Sequence, residues 1–120
     1  MGDVLGGLGR FTEPALLILI SLAGGEKHGY AIMQDIEDVS GARVGPGTLY
    51  GALARLEARG WIEALPSSDR RRPYRLTATG AAALREHLAG VEQLARAGLQ
   101  RLAGTWTRIP PRAPWWPLSS

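Results

Sequence analysis

The sequence has no cysteine and only two histidines in 120 residues. Without thiols there is no disulfide, no thiolate zinc site and no cysteine nucleophile. His28 and His87 are too few for a metal cluster, so neither a metal nor a cofactor is expected. Long apolar runs are also missing. The longest, Ala15 to Ala23, falls far short of the roughly 20 residues that span a bilayer, and no cleavable signal pattern precedes it. No GxSxG, HExxH or phosphate-loop motif occurs, and Gly45, Gly47 and Tyr50 fail the GxGxxG spacing, which leaves an enzyme poorly supported. A cytoplasmic protein with no membrane attachment is the expectation.

Hydrophobic residues make up 45% of the chain and charged residues 21%, which suits one domain with a modest core. The formal charge is only +3, yet the arginines are unevenly placed, with Arg70, Arg71, Arg72 and Arg75 close together. Polyanion binding depends on such a local patch more than on the total.

Residues 1–11 carry several glycines and no periodicity, and are read as a mobile arm. Thr12 can cap a first helix that starts at Glu13 and Pro14, and its body LLILISLA is apolar on nearly every side. Such a helix needs cover all round, and a second subunit is the expected source of part of it, with Leu17 at that contact. After Gly24 and Gly25 a second helix is predicted from His28 to Val39, with Ile32, Ile36 and Val39 inward and Gln34 and Asp38 outward. His28 and Tyr30 read as a turn histidine and a tyrosine packed beneath the segment that follows the third helix, in preference to direct phosphate contact. A turn over Ser40 to Gly45 leads to Pro46, which opens a third helix, and two short helices joined this way suggest helix-turn-helix.

Beyond Gly60, Trp61 to Leu65 suits a strand, PSSDRRRP a loop, and Tyr74 to Thr77 a return strand, together forming a wing. From Ala78 to about Gly104 a long helix is predicted, with a seam of Leu84, Leu88, Val91, Ala95, Gly98 and Leu102. At 1.5 Å per residue it extends roughly 40 Å, more than a small core needs, so it reads as a dimerisation element. The tail 105–120 is proline-rich and carries Trp106, Trp115 and Trp116, which read as tail or interface packing.

The third helix carries the functional argument. At about 100° per residue Leu49, Ala52, Leu53 and Leu56 share the inward face, which leaves Gly47, Gly51, Ala54 and Ala58 opposite, between Tyr50 on one flank and Thr48, Arg55 and Arg59 on the other. Solvent-facing helices normally fill such positions with long charged side chains, whereas a helix that sinks into a DNA groove about 12 Å wide benefits from small ones. Thr48 and Tyr50 offer hydroxyls, Arg55 can fork onto guanine or phosphate, and Arg70, Arg71 and Arg72 at the hairpin tip stand where backbone phosphates need partners.

The segments LLILISLAGGEKHGYAIMQDIE, PGTLYGALARLEARGWIE and RRRPYRLTATGAAAL, in that order, resemble the PadR-type family of winged-helix transcriptional regulators. The resemblance covers about Thr12 to Leu84. It implies a homodimer whose third helix enters the major groove with Gly47, Thr48 and Tyr50 on the recognition motif, whose wing arginines meet the backbone, and whose C-terminal helix builds the dimer. The single C-terminal helix is similar to the shorter branch of the family, where an apolar pocket between subunits holds a flat aromatic effector, and Trp106 is the candidate residue for it. Gly51 stands where the family usually has proline, and the PPRAPWWP tail lies outside the pattern.

The fold class expected is therefore mainly α with a small β-wing, a winged helix-turn-helix over 12–77 and a dimerisation helix over 78–104. The function expected is a dimeric, sequence-specific DNA-binding regulator, a repressor at an inverted-repeat operator, with double-stranded DNA as partner. The competing reading is a winged-helix module that docks an acidic protein through the same arginines.

Overall fold

The computed structural model describes residues 13–68 and 70–108, with side chains through 105. In chain order it holds α1 (Pro14–Ala23), β1 (Lys27–His28), α2 (Gly29–Ser40), α3 (Pro46–Ala58), β2 (Ile62–Ala64), β3 (Pro73–Leu76) and α4 (Ala78–Arg108). This is the mainly helical winged architecture expected from the sequence. The chain divides into two units, residues 1–86 and 87–120. The first contains the three short helices, the sheet and the opening turns of α4, and the described part of the second is the rest of α4.

Leu17, Ile18, Leu19 and Leu22 of α1 are buried with Ile32 and Ile36 of α2, the inward residues of α3, Ile62 of β2 and Leu84 of α4. Ala15, Leu16 and Ile20 pack partly against the same cluster, so α1 gets most of its cover from its own domain. Two expectations change as a result. Leu17 and Leu84 are each only 5% exposed, which makes them core residues rather than part of a subunit surface. Val39 is 62% exposed although it lies about 20° from the buried Ile32 around the helix, because it stands in the last turn of α2, next to the end of the element.

Glu13 is the N-cap residue of α1, without a side-chain cap bond, and Thr12 lies outside the described residues. Ser21, the one buried polar side chain among the described residues, donates from Oγ to Asp35 Oδ2 at 2.7 Å. Lys27 Nζ donates to the Ser21 carbonyl at 2.6 Å and lies 3.9 Å from Asp35, so this polar group ties the end of α1 to α2 and β1.

The sheet is antiparallel in the order β1-β3-β2. Ile62, Glu63 and Ala64 pair with Leu76, Arg75 and Tyr74, and on the other edge Lys27 pairs with Tyr74 and His28 with Pro73. The β1 edge had no counterpart in the sequence reading, since two residues carry no alternation to detect.

Tight turns fix how α3 meets the wing. Gly60 adopts φ 77°, a left-handed conformation that favours glycine, and lets its N–H reach the Glu57 carbonyl while Trp61 N–H reaches Leu56, a Schellman end to the helix. Thr77 then starts α4: its Oγ1 accepts from Gly80 N–H at 3.0 Å and donates to the Gly60 carbonyl at 2.7 Å, while its own N–H bonds the Trp61 carbonyl. At Gly80 a Cβ would fall 2.8 Å from the Trp61 carbonyl carbon and closer still to its oxygen. Backbone cannot step aside as a side chain can. Gly80→Ala should therefore lower the stability of the fold by about 2 kcal/mol or more, read as a fall in the urea or thermal midpoint, and an unchanged midpoint would contradict this packing.

Candidate nucleic-acid interface

The third helix of the sequence reading is α3. Its inward residues Leu49, Ala52, Leu53 and Leu56 are between 0% and 3% exposed, and each buried leucine contributes on the order of 2 kcal/mol. That anchoring sets the rotation of the helix. Gly47, Thr48, Tyr50, Ala54, Arg55 and Ala58 are exposed as a consequence, and Gly51 is half-buried.

The fold does not ask for either glycine on this side. A Cβ at Gly47 would meet no atom within 4 Å, and at Gly51 it would meet only Arg55 Nη1 at 3.8 Å, an ordinary contact. Neither glycine has positive φ. A helix-interior glycine lowers stability by about 0.8–1 kcal/mol relative to alanine, so the bare face is a stability loss that the domain itself does not explain. The N-terminal end of α3 is also open: its N-cap, Gly45, supplies no side-chain acceptor, which leaves the first-turn N–H groups near Gly47 and Thr48 at the positive end of the helix dipole.

The wing meets one flank of this face. A cleft of about 400 Å³ is lined by His28, Gly29 and Tyr30 at the start of α2, by Tyr50 of α3, and by Arg70, Arg71, Arg72 and Tyr74 of the wing. Tyr50 and the three wing arginines are thus brought together, whereas Thr48 and Arg55 lie on the opposite flank, across the glycine and alanine strip. Burial first, then the nearby Glu57 and Tyr50, push the Tyr74 phenol above its ordinary value, partly offset by Arg72. The phenol is neutral at physiological pH and is available as a hydroxyl donor.

Several sequence expectations need revision here. Arg75 does not belong to the tip patch, because its guanidinium is paired with Glu63 on β2, with Nε 2.9 Å from Oε2, and this partner raises its pKa further. Arg59 stacks over Trp61, 5.2 Å from the ring centroid. Tyr30 is 68% exposed rather than packed beneath the wing. His28 is the N-cap of α2, its Nδ1 accepting from Ala31 N–H at 3.4 Å. Gly29 and Tyr74 were absent from the expected site, although both lie in segments that resemble the family. Trp106 falls in α4 with its side chain beyond those described, and Trp115 and Trp116 lie outside the described residues.

On α4, Leu88 is 38% exposed and Leu102 56%, Val91 is half-buried and Ala95 exposed. Leu94 and Leu99 add to this surface at 68% and 67% exposed, and neither was named in the expected seam.

Because Gly51 meets no obstacle, Gly51→Ala should raise stability by about 0.5–1 kcal/mol. The check is the urea midpoint, and a fall would mean that the fold, not an outside partner, requires the glycine.

Residues 18–86 match the PadR-like family of transcriptional regulators. The transcriptional regulator Rv3488 of Mycobacterium tuberculosis is 41% identical over 98 residues, a stretch covering 77% of this chain and 91% of that protein. A 37.1 kDa protein encoded in transposon TN4556 of Streptomyces fradiae is 52% identical over 71 residues, covering 59% of this chain, which spans only 21% of that relative's length. Among solved structures, a PadR family transcription regulator from Clostridium difficile R20291 superposes with a TM-score of 0.67 at 26% identity, covering 74% of this chain and 97% of that one. Matched over more than half its length and along nearly the whole of the mycobacterial relative, the chain belongs to the PadR-like family of transcriptional regulators.

Proposed function

We propose that the protein is a cytoplasmic, homodimeric, sequence-specific DNA-binding repressor that sits on an inverted-repeat operator. The observation that carries this reading is the outward face of α3, stripped of bulk for no internal reason and flanked by hydroxyl and guanidinium groups. The backbone of such a helix can approach base edges closely, and its uncapped first turn suits a phosphate. The wing arginines then supply charge to the neighbouring strand backbone. Repression needs no further surface, because a dimer seated on DNA excludes other proteins from the same stretch.

The homodimer rests on α4. Around the helix, Leu88, Val91, Leu94, Ala95, Leu99 and Leu102 fall within a sector about 140° wide at 100° per residue, and most of these side chains are exposed in the single chain. A second copy offers the same stripe and closes with two-fold symmetry, and a two-fold protein suits an operator of two inverted half-sites. Release by a flat aromatic effector, with Trp106 beside it, rests on the family resemblance.

Six or so phosphate contacts per dimer give a slope near −5 for log affinity against log salt. Replacing Arg70, Arg71 and Arg72 together by alanine should weaken binding to all duplexes alike, while Thr48→Ala or Arg55→Ala should change sequence preference. Affinity measured over a salt series on a selected and a scrambled duplex checks both, and a slope near zero would remove the DNA reading. For the dimer, Leu99→Glu with Leu102→Glu should give a monomer in sedimentation and about a tenfold or larger loss of operator affinity. A variant that stays dimeric would remove α4 from the interface.

A further inference from the structure

Gly29 opens α2 and is buried. Its φ is not positive, so no left-handed turn accounts for glycine here, and glycine is a poor helix former. The reason is spatial. A Cβ at this position would fall 2.8 Å from Cζ of Tyr50 and closer still to its hydroxyl, well inside the ~3.5 Å at which carbon atoms meet. The Tyr50 phenol therefore occupies the space that any side chain at 29 would fill.

We infer that Gly29 is a positioning residue for DNA reading: its bare Cα is the seat that holds the Tyr50 ring beside the wing arginines. This rests on the DNA-binding reading above. Tyr50 is 51% exposed, so one side of the ring is seated and the rest faces the cleft that it shares with Arg70 and Arg72. The seat is itself fixed to the wing, because His28 pairs with Pro73 and Lys27 with Tyr74, while His28 caps the helix that Gly29 begins. The spacing between a hydroxyl on α3 and the guanidinium groups of the hairpin is thereby set by a third element that need not touch DNA. Tyrosine has two side-chain torsions, so a Cβ filling the seat at Gly29 would turn the ring away from it and into the cleft.

The test is a double-mutant cycle on the full chain, read by affinity for an operator duplex selected with the parent and by thermal midpoint. Gly29→Ala should weaken operator binding about tenfold, within the coupling range of residues in contact, and Tyr50→Ala should weaken it by itself. In the Tyr50→Ala background the added Gly29→Ala should change affinity less than about twofold, since the seat then has no occupant. Additive losses would overturn the inference, because a purely structural role for Gly29 persists whatever stands at 50. Should Gly29→Ala fail to fold, recovery of folding in the double variant supports the seat, and a double variant that also fails overturns it. A parent that binds no duplex sinks the DNA reading instead, while the same cycle in thermal midpoint still decides whether Tyr50 occupies the space above Gly29.

Discussion

One packed interface sets up the rest of the molecule: the burial of Leu49, Ala52, Leu53 and Leu56 against α1 and α2. An α-helix anchored by one sector has no remaining rotational freedom, so the residues half a turn away face outward by necessity. Those residues are glycines and alanines, with a tyrosine on one flank and a threonine and an arginine on the other. Internal packing and the outward face are one fact seen from two sides. A change in the core of α3 would rotate the outward face as well as loosen the fold.

The second constraint is backbone against backbone. At Gly60 the helix ends in a left-handed residue, and at Gly80 the first turn of α4 lies on the Trp61 carbonyl, with Thr77 bonded to both neighbourhoods. These contacts fix where β2 leaves α3 and where β3 hands over to α4. The hairpin between them is therefore held at its base while its arginine tip stays exposed. Its inner strand is held again by β1 on the far edge, so the three-stranded sheet has no free middle strand and the tip is carried on a braced support.

Several arginines are held by partners that the fold brings to them. Arg75 is committed to Glu63, Arg43 to Glu37 and Arg96 to Glu92, all as exposed pairs that add little stability, and Arg59 lies over Trp61. Arg70, Arg71 and Arg72 line the cleft with Tyr50 and Tyr74. A basic run in a sequence does not reveal which of its members face a carboxylate across a strand pair. Glu63 and Arg75 meet only because β2 and β3 pair in one register.

The sequence by itself determined the order and type of the main elements, the inward face of α3 and the small residues opposite it, because each follows from spacing along the chain or from local glycine and proline chemistry, while the family was legible as a resemblance of whole motifs. Where it misplaced residues, the deciding partner was distant in sequence. Leu17 and Leu84 left the dimer surface because the domain's own core reached them, and Arg75 left the basic patch because a neighbouring strand brought Glu63 alongside. Only the tertiary structure could show the two-residue edge strand at Lys27–His28 and the seat that Gly29 makes for Tyr50, since both arise when segments separated along the chain close on one another. Periodicity records which way a residue points, and it holds no record of what will be standing there.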